Sequence, residues 1–333
     1  MSKKFSVAVI GAGIAGLSFA KALHPNAKIT IFEKSRGVAG RMATRTRGGF
    51  VFDHGAQYFT VREERFRHAL ASAIEHGPVE PWTVAIASIG IEGETTFREN
   101  AQLRFVGTPS MTALGKYWAK DFDVRLNHKA TSLRRDGGLW YLDFEAAASE
   151  GPFDWVVSSA PAPQTEALLP LPPVHRQKLQ AVCMQACFTL MVALADHSEL
   201  PSAGCQIDHP VLGWIARNDA KPRRDGPACL VVHANNEWSS RNIEMPLVQV
   251  QAAMVGALRE VLALESINPD LFAELHRWRY ANVAKALGEP YLLDEQQRIA
   301  ACGDWCLGNR VEAAFMSGAI LADKMNEMAR QNI

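Results

Sequence analysis

The sequence predicts an α/β protein in which a Rossmann-like dinucleotide-binding domain, helices on a mixed or parallel sheet, is interleaved with an α+β domain built on a largely antiparallel sheet. Three observations carry that expectation. A G-x-G-x-x-G run, Gly11 to Gly16, stands between an apolar stretch and a helical one. A carboxylate, Glu33, follows 22 residues after Gly11. Finally, residues 302–318 form a Gly/Asp/Trp turn that opens a last apolar helix.

The apolar run Phe5 to Ile10 reads as a buried strand that ends at Gly11. Gly16 to Leu23 has the small residues of a tightly packed helix, and Ile29 to Phe32 reads as a second buried strand, so the opening is a βαβ unit. Farther on, Arg65 to His76 and Leu247 to Leu262 place apolar residues at helical spacing and read as amphipathic helices. Phe153 to Ala160 and Cys187 to Leu194 read as strands, and the Pro-rich stretch Pro161 to Pro173 as a crossover between domains. The expected division assigns 1–60, 103–165 and 284–333 to the cofactor domain and 61–102 with 166–283 to the substrate domain.

Composition narrows the function classes. Of 333 residues, 48% are hydrophobic and Lys+Arg and Asp+Glu both total 35, so no charge block points to nucleic acid or a membrane surface. The longest apolar run, about nine residues from Cys187 to Ala195, is far short of the roughly 20 needed to span a bilayer. Only six residues separate Met1-Ser2-Lys3-Lys4 from Gly11, which leaves no space for a cleavable leader, and a cytoplasmic location is expected. The six cysteines, at 183, 187, 205, 229, 302 and 306, lack C-x-x-C spacing and read as mostly buried reduced thiols; no metal site is expected.

The glycine-rich turn has a physical reading. Gly11 permits the tight turn, Gly13 lets backbone approach a pyrophosphate, Gly16 lets the helix pack on the sheet, and the N–H groups of Ala12, Ile14 and Ala15 border the helix's positive end. Glu33, followed by Lys34, suits a ribose diol and would repel a 2′-phosphate. These features do not separate FAD from NAD. Three others do. Arg36 to Met42 is a flexible loop in which Gly40 and Met42 flank Arg41, a cation that can pair with a pyrophosphate or stand solvated. Asp53 to Phe59, with His54, Gly55, Ala56 and Gln57, is a compact segment suited to laying backbone against a flat ring. In the last segment, Gly303 and Asp304 precede a helix opened by Val311, Glu312 and Ala314; Asp304 can accept from a ribitol hydroxyl, and the helix end can face the N1–C2=O edge of an isoalloxazine. Non-covalent FAD is therefore the expected cofactor.

Across nearly the whole chain, the order GAGIAG, FEK, GRM, DHGAQYF, FVGTPSM, SSAPAPQ, HRWRYA and CGDWCLGNRVEAAFMSG resembles the bacterial renalases, within the wider flavin amine oxidase-like superfamily. The resemblance implies an FAD enzyme that oxidises 2- and 6-dihydro isomers of NAD(P)H to NAD(P)+ and passes the electrons to O2, giving H2O2. It places Gly11, Gly13, Gly16, Glu33, Arg41, Gln57, Asp304 and Glu312 around the flavin, with Ala160 in the SSAPAPQ segment joining them. The family continues Tyr-Ala-Arg-Pro where this chain has Tyr280-Ala281-Asn282-Val283, a difference on the substrate side.

A single G-x-G-x-x-G leaves no second nicotinamide domain, so the redox partner docks directly on the flavin face. Hydride loss from a dihydropyridine leaves an aromatic pyridinium and needs no general base; orientation and electrostatics are the protein's contribution. Candidate substrate-site residues are Tyr58, Trp214, Arg217, His233, Trp238, Trp278 and Tyr280, each aromatic also being a core candidate and His233 equally a strand-end histidine. Two other readings stay open: a flavin amine oxidase acting on a small amine, and a non-enzymatic flavin or nucleotide sensor.

Overall fold

The computed structural model describes residues 5–23, 25, 27–98, 102–194, 200–262 and 272–331. Residues 1–4, on which the leader reading turns, lie outside them. The chain opens with β1 (Ser6–Ile10), α1 (Ile14–Ala22) and β2 (Lys28–Phe32), then the hairpin β3 (Thr44–Arg47) and β4 (Phe50–Asp53) and a short β5 (Phe59–Thr60). Next come α2 (Glu64–Glu75), β6 (Val79–Pro81), β7 (Ile86–Ile89), β8 (Thr95–Arg98), β9 (Arg104–Gly107), α3 (Thr112–Ala119) and β10 (Asp123–Arg125). A meander of β11 (Ala130–Asp136), β12 (Leu139–Phe144) and β13 (Glu150–Phe153) leads to β14 (Trp155–Ser158), α4 (Ala162–Leu168) and α5 (Pro173–Gln180). The second half runs β15 (Cys183–Ala193), β16 (Gly204–Ile207), β17 (Leu212–Arg217), β18 (Cys229–Ala234), α6 (Asn236–Arg241), α7 (Leu247–Leu262), β19 (Ala273–Lys285), β20 (Leu292–Asp294), β21 (Ile299–Ala301), α8 (Asp304–Leu307) and α9 (Val311–Gln331).

Two sheets organise the molecule. The first has order β10-β2-β1-β14-β21-β20, parallel except for β20. Its centre is apolar on both faces, as a covered parallel sheet requires: Val7, Ala8, Val9, Val156, Val157 and Ile299 are fully buried. Parallel pairing brings the carboxyl ends of β1, β2, β14 and β21 to one edge, which gathers Gly11, Glu33, Ser159 and Cys302–Asp304 from four distant parts of the chain. The last helix belongs to the same layer. A Cβ on Gly318 would stand 2.2 Å from the Ala15 carbonyl oxygen, and Ser18 Oγ donates to the Phe315 carbonyl at 3.0 Å, so α9 lies against α1 nearly backbone to backbone. That contact fixes where α9 begins.

The second sheet has order β19-β15-β18-β17-β16-β7-β8 and is antiparallel except for the β16–β7 pair. Residues alternate as a half-covered sheet demands. Leu190, Val192, Leu230, Val232 and Ile215 face α7 through its buried Val250, Met254 and Leu258. The opposite face carries Thr189, His233 and Trp214.

The stretch from Pro161 to Pro173, read as a crossover, contains α4 and the start of α5. Its prolines sit at or just before the first helical turn, where a missing N–H costs nothing. The loop from Arg36 to Met42, read as flexible, is anchored: Ala39 N–H donates to the Ala12 carbonyl at 2.8 Å, and Ala39 and Met42 are buried. All six cysteines are free, and all but Cys183 are buried. No helix among the described residues is long and apolar enough to cross a membrane.

Candidate active site

One cavity of about 2070 Å³ runs from the carboxyl edge of the first sheet to the polar face of the second. A usual small-molecule pocket is ~300–1,000 Å³. The space therefore suits an extended cofactor with a second molecule beside it.

The end at the first sheet, where a cofactor is expected, is built from backbone. Gly11 adopts φ 103°, closed to most side chains, and is pinned by its N–H to the Phe32 carbonyl at 2.8 Å. A Cβ on Gly16 would stand 2.2 Å from the Gly11 carbonyl oxygen, so only glycine lets α1 start this close. A Cβ on Gly13, by contrast, would meet nothing within 4 Å; it would project into the space the turn leaves open. No side chain caps α1, whose first N–H groups lie beside that space. The buried Glu33 carboxylate accepts from Ala12 N–H at 2.9 Å and Ser35 N–H at 2.8 Å, which immobilises it and leaves lone pairs for a diol. At the other end, Gly303, Asp304, Asn309, Arg310, Val311 and Ala314 bring the start of α9 to the cavity. An uncapped helix start, a carboxylate held at strand-end spacing and a second helix start at the far wall fit the phosphate, ribose and ring portions of a flavin dinucleotide.

Arg41 is less free than its place in the loop suggests. It donates to Asp304 Oδ1 at 2.6 Å and to the carbonyls of Ala281 at 3.1 Å and Tyr280 at 3.4 Å. It thus ties the loop to α8 and β19. Asn282, where the renalase pattern has Arg, lines the same wall and donates to Asn236 Oδ1 at 2.9 Å.

The end at the second sheet is a row across four strands. Register sets His276 of β19 opposite Thr189 of β15, Thr189 opposite His233 of β18, and His233 opposite Trp214 of β17. All four line the cavity, and the buried Trp214 Nε1–H has no hydrogen-bond partner among the described residues. Tyr58 approaches Trp214 with ring centroids 5.8 Å apart. Trp278 stacks on His54 at 5.3 Å and donates from Nε1 to the His54 carbonyl at 2.9 Å. Burial holds His54 at a pKa of about 3, with His276 and Arg45 adding to the effect. His233 is held at about 4 by burial and then Lys221, and His276 at about 4 by burial and then Arg45. All three imidazoles are neutral at pH 7.

Beneath the row lies a buried charge cluster. Asp53 accepts from Lys221 Nζ at 3.2 Å and Arg224 Nη2 at 2.8 Å, each of these side chains at most 2% exposed. Gln57 links it to the row: its amide oxygen accepts from Lys221 at 3.3 Å, and its nitrogen lies 3.2 Å from His233 Nε2.

Most expected site residues line the cavity, including Lys34, Gly40, Met42, Gly55, Ala56, Ala160 and Tyr280; five do not. Glu312, expected beside the flavin, turns away: its Oε1 accepts from Arg62 N–H at 2.6 Å and Glu63 N–H at 2.8 Å, supplying the start of α2. Arg217 reaches back to Asp219 at 2.9 Å, and Trp238 packs edge-on against Phe188 in the core under α7. Ala12 and Gly16 shape the turn from behind. The sequence reading missed Thr189, His276, Arg45, Arg62, Arg104 and the buried Lys221. Their positions depend on strand register and on partners more than 100 residues away, for which local sequence holds no signal.

Residues 9–73 match the NAD(P)-binding Rossmann-like domain family. Among solved structures, an Exiguobacterium sp. 255-15 protein assigned as a protoporphyrinogen oxidase is similar at 13% identity, covering 97% of this chain and 99% of that one with a TM-score of 0.77. Cyclohexylamine oxidase from Brevibacterium oxydans IH-35A is similar at 13% identity, 98% and 100% coverage and a TM-score of 0.73. Putrescine oxidase, bound to putrescine, gives 13% identity, 96% and 98% coverage and 0.69. The chain shares the fold of these oxidases. The two sheets described above face each other across the cavity, and the Gly11 turn and the start of α9 both border it.

Proposed function

We propose that the chain is an FAD-dependent oxidase that takes a hydride from 2- or 6-dihydro isomers of NAD(P)H, with O2 as the final electron acceptor and H2O2 as product. The renalase motifs suggest this activity, and the charge of the cavity supports it. Among its described lining residues are twelve Lys and Arg but only two carboxylates, Glu33 and Asp304, in a chain whose charges balance as a whole. Counting Glu274, Glu145 and Glu244, which pair with Arg45, Lys129 and Arg279 from just outside, leaves twelve cations against five anions. Glu33 and Asp304 are both already engaged. A protonated amine would enter a field of its own sign and meet no open carboxylate, whereas a phosphate-bearing substrate would be drawn in.

FAD supplies a two-electron acceptor at the flavin N5. The turn at Gly11–Gly16 and Glu33 would hold its dinucleotide end, and the start of α9 would hold its ring. The protein's share of the chemistry is then positional. Trp214, Tyr58 and the Trp278–His54 stack form apolar walls for a flat ring, and the neutral imidazoles present no strong base. None is needed: a dihydropyridine that loses hydride becomes an aromatic cation with no proton left to remove. O2 would then take up the two electrons with the proton that arrived as hydride and one further proton from solvent, which balances H2O2.

Anaerobic mixing of the holoprotein tests the proposal. Rapid bleaching of the oxidised flavin band by 6-dihydro-NAD, with no bleaching by putrescine or cyclohexylamine, is expected. Bleaching by the amines alone would overturn it in favour of amine oxidation, and bleaching by neither would favour a sensor.

A further inference from the structure

Gln57 links the buried charges to the polar row, and its surroundings fix which way its amide faces. On one side lie the carbonyl oxygens of Asp53 and Gly55, both accepting from Nε2, the latter at 3.0 Å. On the other lies Lys221 Nζ, 3.3 Å from Oε1. Reversing the amide would set its oxygen against two carbonyls and its NH2 against an amine donor, losing the bonds to Asp53, Gly55 and Lys221 together. The nitrogen therefore faces His233 Nε2 at 3.2 Å. The two hydrogens of this NH2 face three acceptors, so one is shared between a carbonyl and His233; because an NH2 group only donates, Nε2 must accept, and the imidazole proton resides on Nδ1. Among the described residues Nδ1–H has no protein partner, and His233 lines the cavity between Thr189 and Trp214.

We propose that Lys221, which does not line the cavity, is a positioning residue: through Gln57 it locks His233 as a neutral imidazole with an Nδ1–H donor available to a carbonyl oxygen bound in the cavity. The carbonyl belongs either to the carboxamide of a nicotinamide ring or to the flavin. The first case rests on the dihydronicotinamide reading given above; the second does not. Lys221 can act this way because it has no alternative. Its side chain is fully buried, and its other acceptor, Asp53, is shared with Arg224, Thr44 and the Met111 N–H. The titratable groups around His233 are Lys221 from the β17–β18 connection, His276 on β19 and His54 after β4; Lys221 is the charge that bears on it, opposing protonation.

The tautomer can be read directly. In ¹⁵N-imidazole spectra of the wild-type holoprotein, assigned with His233→Gln, the His233 signals should report a protonated Nδ1 and a bare Nε2, unchanged from pH 6 to 9. A protonated Nε2 would overturn the proposal whatever the substrate. Lys221→Met should release the amide and mix the tautomers, while Lys221→Arg, which keeps a donor, should restore the wild-type pattern. If the carbonyl is the substrate's, Lys221→Met weakens NAD+ binding and slows flavin bleaching by 6-dihydro-NAD roughly tenfold, the cost of one hydrogen bond left unmade, with the flavin spectrum unchanged. If it is the flavin's, the absorption band and the reduction potential of the holoprotein shift before any substrate is added. A folded Lys221→Met protein that changes none of these would overturn the assignment. Should 6-dihydro-NAD fail to bleach the wild type, the dihydronicotinamide reading falls, and the tautomer spectra still decide the role of Lys221.

Discussion

Removing the Glu312 side chain should destabilise the fold while leaving the cofactor in place. Its carboxylate is buried in the first turn of α9 and receives two backbone N–H groups, from Arg62 and Glu63, just ahead of α2. Glu312→Ala leaves both donors unmet in a partly buried position, at ~1–3 kcal/mol each, so a loss of about 2–6 kcal/mol is expected. Glu312→Gln keeps an oxygen in place and loses only the charge that two helix starts favour, about 1 kcal/mol. Urea unfolding at saturating FAD measures both, read as a shift of midpoint at constant slope so that flavin loss does not enter. FAD affinity, followed by flavin fluorescence on the folded variants, should stay within a few-fold of wild type. A Glu312→Ala protein as stable as wild type but depleted of FAD would show that the carboxylate serves the flavin after all.

Two further outcomes follow from the site. Stability should fall as pH drops from 6.5 toward 4: an unfolded histidine takes up a proton near 6.5, whereas His54, His233 and His276 resist until about 3 to 4, so the unfolded chain binds more protons in that window. His233 alone can contribute at most ~3 kcal/mol, and His233→Gln should flatten the slope of midpoint against pH; a wild-type midpoint unchanged between pH 7 and 5 would refute this. Burial alone would raise Asp53, but Lys221 and Arg224 outweigh it and hold its pKa at about 2, so its share is lost only below pH 4. Gly13→Ala and Gly16→Ala should separate binding from folding. The first places a methyl in open space and should cut FAD retention with apoprotein stability intact, whereas the second strikes backbone at 2.2 Å and should lower stability by a few kcal/mol. Equal stability losses in the two would contradict the reading of the turn.

How far the sequence discloses the site depends on whether its parts are neighbours along the chain. Gly11 to Glu33 is legible because a strand, a turn and a helix are contiguous and their residue types answer to local geometry. Leu247–Leu262 is legible for the same reason, its apolar spacing matching the helix from end to end. Glu312 misled because adjacency fixes a residue's backbone but not its side-chain direction: Val311 and Ala314 line the cavity while Glu312 between them points to α2. The polar row had no such signal. Thr189 sits in the run Phe188 to Ala193, where every residue is buried, and nothing in that run tells which face it joins until β18 and β19 set the register. Lys221 was hidden further, 168 residues from the carboxylate it pairs with. The cofactor end is thus a property of a motif, shared by any chain that spells it. The polar row is a property of register and burial, and His233, Gln57 and Lys221 meet there only because the fold brings β18, the segment after β4 and the β17–β18 connection together.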